Sequence, residues 1–281
     1  MNHTVFLAVI GAALLHALWN AVVKSGSDKL VGMGAVVIGH APLALVAVLL
    51  APTPDVASLP YLAAGVALHF GYQLFLLHSY RLGDLTQVYP IARGSAPLMV
   101  AAVSVIFLGV TLGTAEIAAI ALISLGILSL AIVQRADGTG ARGASWLALA
   151  TGGFIASYSL VDGTGAQLAG TSFGFYGWLA LINAALMAAF LIIRSPDAAR
   201  TVAQTQKRVA LLGGGASFAA YALVTWAFTQ SSIALVAALR ETSIVFAMLI
   251  GVFFLKEKVD LKKLVATSLT LAGAFALRIA R

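Results

Sequence analysis

No cysteine occurs anywhere in the 281 residues. Disulfide staples, zinc–thiolate sites and thiol nucleophiles are therefore excluded. Charge is also scarce. Asp, Glu, Lys and Arg make up 10% of the chain, where a soluble domain of this size carries about a quarter. Long polar stretches are missing too. The longest, residues 194–208, is too short to fold by itself, so the chain's work is expected inside its apolar segments. No HExxH motif and no pair of aspartates within one apolar segment is present, which argues against an intramembrane enzyme.

What is abundant is apolar: 61% of the residues. Runs of about 20 such residues recur from Val5 to the end of the chain, each able to cross ~30 Å of hydrocarbon. The composition predicts an all-α, polytopic membrane protein whose environment is the lipid bilayer. The start, MNHTVFLAVIG, lacks the basic segment and processing site of a cleavable signal, so the first span is expected to be retained. The net charge of +7 does not indicate nucleic acid, because the basic residues sit in short loops and form no continuous stripe.

Ten spans are predicted, at 4–23, 30–51, 60–82, 85–109, 113–133, 143–161, 172–193, 209–229, 233–255 and 261–279. The odd-numbered connections hold thirteen Lys and Arg residues and the even ones none; Arg278 and Arg281 are the only basic residues at the opposite end. By the positive-inside rule the odd connections face the cytoplasm and both termini face out.

The charged exceptions, Arg93 and Arg240, expose a repeat. Setting Arg93 on Arg240 also aligns Ser95 with Thr242, Val105 with Val252, Phe107 with Phe254, Gly126 with Gly273 and Leu130 with Leu277. Residues 1–134 and 143–281 read as two five-helix copies joined by a linker at 135–142. Five spans per copy is odd, so the second copy enters from the opposite side. Inverted repeats are a secondary-transporter architecture, with the substrate at the midplane between them.

Polar residues within the spans mark the candidate site. In the first span His16 and Asn20 share a face, with Trp19 beside them, and Tyr158 and Ser159 occupy matching positions in the sixth. In the third, His69, Gln73 and Tyr80 form a polar face; the eighth offers Ser217, Tyr221 and Phe228 in return, with Trp226 matching His78. The fourth span holds Tyr89 and Arg93 between Pro90 and Pro97, whose missing N–H groups free carbonyls. The ninth carries Arg240 and Glu241 side by side. Two roles stand open for the arginines: gripping a substrate carboxylate from opposite sides of the midplane, or bracing helices. Asp162 reads as interfacial, His40 and Pro42 as a satisfied histidine and a kink. Gly126 and Gly273 read as small residues on peripheral spans able to support dimer contacts.

The segments HALWNAVVK, VYPIARGSAPLMV and ALRETSIVFAMLIGVFFLKEK resemble the EamA branch of the drug/metabolite transporter superfamily. The resemblance extends over both halves, although Gly109 and Val110 stand where the second copy has Lys256–Glu257. It implies helices 1–4 and 6–9 around a cavity, helices 5 and 10 outside, and export of small metabolites. Bacterial aromatic amino acid exporters are the best-known members of this shape, which implies a bacterial inner membrane with periplasmic termini. Small multidrug relatives use a glutamate in the first span; this chain has His16 and Asn20 there. The expected activity is export of amino acids or similar small metabolites without a cofactor or metal, by a monomer or homodimer. The alternative is a drug or cation exporter of the same superfamily.

Overall fold

A computed structural model describes residues 1–24, 28–82, 85–135, 142–253 and 261–280. The linker core at 136–141 and the Lys256–Glu257 pair lie outside the described residues. Everything regular in the described chain is helical. The helices are α1 (His3–Lys24), α2 (Lys29–Ile38), α3 (Ala41–Leu50), α4 (Leu59–Leu82), α5 (Leu85–Ile106), α6 (Thr114–Arg135) and α7 (Arg142–Leu168). They continue with α8 (Ser172–Arg194), α9 (Pro196–Thr205), α10 (Gly215–Gln230), α11 (Ile233–Arg240), α12 (Ser243–Phe253) and α13 (Leu261–Ile279).

Six stretches among the described residues are long and apolar enough to cross a membrane, and shorter apolar helices cover 90–106, 114–130 and 264–279. Large apolar side chains such as Leu50, Phe107, Trp146, Ile193, Leu211 and Phe275 point outward. In water that surface would drive aggregation; in lipid it is the matching solvent. The chain is a multi-pass membrane protein.

Helix ends follow local chemistry. The Asp28 carboxylate accepts from the amides of Leu30 (2.8 Å) and Val31 (3.1 Å) at the start of α2. Thr171 caps α8 through the Gly174 amide, and Glu116 accepts from the Gly113 amide ahead of α6. Each satisfies amides that a helix start leaves orphaned. Gly109 and Gly170 turn the chain at φ +64° and +67°, a conformation glycine adopts without a Cβ penalty.

Two predicted spans are broken where a single helix was expected. The second divides into α2 and α3 at Gly39–His40, with Pro42 in the first turn of α3. A Cβ at Gly39 would meet the Ala210 carbonyl, and one at Gly214 would meet the Gly39 backbone at 2.7 Å. The glycines of the eighth span thus admit a close backbone approach. There the chain widens into a π-helical turn (Val209–Gly214) before α10 begins. The ninth span breaks between α11 and α12, at Glu241 and Thr242. In contrast, α5 runs unbroken through Pro90 and Pro97.

The sixth span is longer than expected, because α7 continues to Leu168. Its glycines mark packing. A Cβ on Gly163 would meet Ile233 at 2.6 Å, and one on Gly165 would meet Tyr61 at 2.7 Å. Asp162 consequently lies deep in the bundle with no exposed surface, which corrects its interfacial reading.

Helix α1 packs against α10 and α12, α7 packs against α4 and α5, and α3 packs on α8. Helices α6 and α13 pack along one another. Gly126 faces the Ala266 carbonyl and Leu269 of α13, and Gly273 faces Ile123 and the Ala119 carbonyl of α6. Both glycines are therefore used in the packing of α6 on α13 within the chain. At one end of the bundle the Arg278 guanidinium reaches His3 Nδ1 (3.3 Å), so the two termini lie together.

Candidate functional site

The break in the ninth span builds the charged part of the site. The amides of Glu241 and Thr242 bond to the carbonyls of Ala238 and Leu239, three residues back, both at 3.1 Å. The Thr242 hydroxyl donates to the same Leu239 carbonyl (2.8 Å). The tightened turn ends α11 and carries the Glu241 carboxylate toward α5.

There Glu241 Oε2 lies 2.7 Å from Arg93 Nε, and Oε1 lies 3.6 Å from Arg240 Nε. The first is a charge-assisted hydrogen bond; the second is a Coulomb contact too long for one. Arg93 also donates to Ser243 Oγ (3.0 Å). Arg240 approaches Ser159 Oγ at 3.5 Å and its guanidinium carbon stands 5.9 Å from the Tyr158 ring centroid. All three charged side chains are buried. The two arginines thus converge on one carboxylate. Arg93 and Glu241 are engaged with each other and are not among the side chains that line the cavity described next. Arg240 is less engaged: its Nε has no hydrogen-bond partner among the described residues.

Arg240 also faces a cavity of about 90 Å³ at the centre of the bundle. Helix α1 contributes His16 and Trp19, the α2–α3 break His40, and α4 His69, Tyr72 and Gln73. Tyr158 comes from α7, Tyr176 from α8 and Tyr221 from α10. Buried His40 Nε2 and Gln73 Oε1 have no hydrogen-bond partner among the described residues, so His40 is not the satisfied histidine expected. With Arg240 Nε, these atoms leave hydrogen-bonding capacity around the cavity.

Behind the wall lies a carboxylate. His69 Nε2 lies 2.7 Å from Asp162 Oδ2, and the Tyr221 hydroxyl donates to the same oxygen (2.6 Å). His69 stacks on Tyr158 with ring centroids 4.3 Å apart and meets Tyr221 edge-on at 5.2 Å. Asp162 thereby fixes two rings of the cavity wall.

Of the residues predicted for the site, Trp19, His69, Gln73, Tyr158, Tyr221 and Arg240 line the cavity together. Asn20 does not: its amide donates to the His16 carbonyl one turn back (2.7 Å). Ser159 donates to the Ile155 carbonyl (2.7 Å) and sits behind Arg240. Trp226 packs against the apolar core around α1 and α10. The side chains of Tyr80 and Tyr89 lie outside the described residues. His78 is exposed and borders a separate pocket with Arg194. Sequence reasoning missed Asp162 as a site residue. Its signal was the spacing Tyr158–Asp162, one helical turn on the same face.

Residues 142–279, a segment running from α7 through α13, match the EamA-like transporter family. The match covers just under half of the chain. That family consists of membrane transporters and is consistent with the drug/metabolite transporter superfamily. A solved structure described as a crystal structure of a protein superimposes with a TM-score of 0.78 over 100% of both chains. Its 18% identity makes that a likeness of fold. Comparison with curated proteins finds no match.

Proposed function

We propose that this EamA-like transporter is a secondary exporter of amino acids and related small zwitterions, working by alternating access of two inverted five-helix repeats. The observation that carries the reading is Arg240: a buried guanidinium on the cavity wall whose Nε has no hydrogen-bond partner among the described residues. A guanidinium stays charged and matches a carboxylate with its planar donors. Opposite in chemical sense are Gln73 Oε1, an acceptor without a donor, and the faces of Tyr158 and Tyr221. Those features suit an ammonium group. The small volume favours a small metabolite over a drug-sized ligand, whose pockets typically occupy about 300–1,000 Å³.

The reciprocal packing supports the repeat. Helix α1 lies against α10 and α12, while α7, its counterpart, lies against α4 and α5. Helices α6 and α13 begin at Thr114 and Leu261, the same 147-residue offset that separates Arg93 from Arg240. A helix broken beside the cavity is also a recurrent transporter device. One chain contains both repeats, so a monomer suffices for transport. The basic loops support a bacterial inner-membrane topology with periplasmic termini.

The test is counterflow of radiolabelled L-amino acids in proteoliposomes. Saturable exchange that disappears in Arg240→Ala is expected. Flux of a lipophilic cation such as tetraphenylphosphonium, with no amino acid exchange, would favour the drug-exporter reading and overturn this one.

A further inference from the structure

The Asp162 cluster is not used by the substrate contacts above. Asp162 is fully buried, accepts two hydrogen bonds at Oδ2, and has no partner at Oδ1 among the described residues. Oδ1 is pressed toward Gly65, where even a Cβ would collide with it. His69 keeps 15% of its side chain exposed and lines the cavity. With its Nε2–H donating to Asp162, the remaining ring nitrogen, Nδ1, is the atom able to accept a proton.

We propose that His69, held by Asp162, is a proton-binding site whose proton exchanges with the ammonium group of the substrate. This rests on the zwitterion reading above. Arg93, Arg240, Glu241 and Asp162 balance in charge while His69 is neutral. A proton on Nδ1 gives an imidazolium paired with Asp162 and places a positive charge against the Tyr158 ring, 4.3 Å away between centroids. A substrate ammonium is drawn to the same aromatic faces. The two cations repel and exclude one another. Entry of one ammonium sends one proton from Nδ1 to bulk water, the exchange an antiporter needs.

The other ionisable groups around His69 do not substitute for it. Tyr158 and Tyr221 face it from α7 and α10 and Tyr176 of α8 shares the cavity wall, and tyrosine is uncharged well below its ordinary pKa of about 10. Arg240, facing from α11, carries a permanent charge. His40, at the α2–α3 break, and His16, on α1, have no carboxylate in hydrogen-bond reach among the described residues to hold an imidazolium. Only His69 has that partner among these histidines.

The test is calorimetric binding of each of the common L-amino acids to the purified full chain in detergent. It is run near pH 6 and pH 8, in two buffers of different protonation enthalpy. Binding is expected to release roughly one proton per substrate at one pH or both, read from the difference in enthalpy between the two buffers. The release should vanish in His69→Gln and in Asp162→Asn. Asn20→Ala, which leaves the His–Asp pair and the cavity lining in place, should retain it, and His69→Gln decides the assignment where Asp162→Asn fails to fold. Binding without proton release by the wild type overturns the exchange and leaves the amino acid reading standing. Release that survives in His69→Gln also overturns the assignment. Absence of binding by every amino acid overturns the substrate reading, and the exchange with it.

Discussion

Glu241 Oε2 lies 2.7 Å from Arg93 Nε, joining residues 148 positions apart at the point where the ninth span breaks. The same carboxylate faces Arg240 through its other oxygen. One acid thus holds two buried guanidinium groups. Removing it leaves both without their counter-ion, which is far costlier than losing an exposed pair.

Glu241→Gln is therefore expected to destabilise the protein by about 3–5 kcal/mol, read as a lowered unfolding midpoint in detergent. Arg93→Gln should be severe as well. The double variant should cost less than the sum of the singles, because each single strands the charge its partner leaves behind. Additive losses would show that the pair is not coupled.

Arg240→Lys should weaken substrate exchange at least tenfold. A lysine keeps the charge and loses the planar fork that fits a carboxylate. Asn20→Ala should leave exchange within about twofold of the wild type, since that amide is already spent on the His16 carbonyl within its own helix. Counterflow rates at several substrate concentrations separate these outcomes. An unaffected Arg240→Lys would remove the arginine from the binding site.

Glycines divide sharply by what surrounds them. A Cβ at Gly126 would stand 2.9 Å from the Ala266 carbonyl, so Gly126→Val should loosen α6 from α13 and cost about 1–3 kcal/mol. Gly153 has nothing within 4 Å of an added Cβ. In the interior of α7, Gly153→Ala should stabilise by up to ~1 kcal/mol through helix propensity. Thermal unfolding of the two variants side by side checks the contrast.

The absence of cysteine makes topology directly measurable. Thr53→Cys, beside the expected outer end of α4, should react with a membrane-impermeant maleimide in intact cells. Arg200→Cys, on the exposed face of α9, should react only after the membrane is opened. Both positions are exposed. The reverse pattern would invert the orientation read from the basic loops.

Much of the fold was legible in the sequence, because the bilayer simplifies the code. Spans must be apolar for about 20 residues, and short loops carry the orientation signal in their Lys and Arg residues. Helical spacing singled out His69 and Gln73 and the match between the halves singled out Tyr158 and Tyr221, and these meet at the cavity with Trp19. The errors arose where one local signal has two meanings. The glycines after Asp162 looked like the end of a span and instead admit Ile233, Tyr61 and Phe175 into tight contact along a continuing helix. The Arg240–Glu241 step looked like two charges on one smooth helix. A three-residue turn there redirects Glu241 to Arg93.

By itself the sequence determined the solvent, the helical class and the presence of buried arginines, since these depend on composition and local spacing. Only the tertiary structure decided the partners. Helical period says which side a residue occupies along its own axis, but not which helix lies opposite or at what height. That is why Asp162, 93 residues from His69 and 59 from Tyr221, is placed at both of them only by the packing of α7 between α4 and α10.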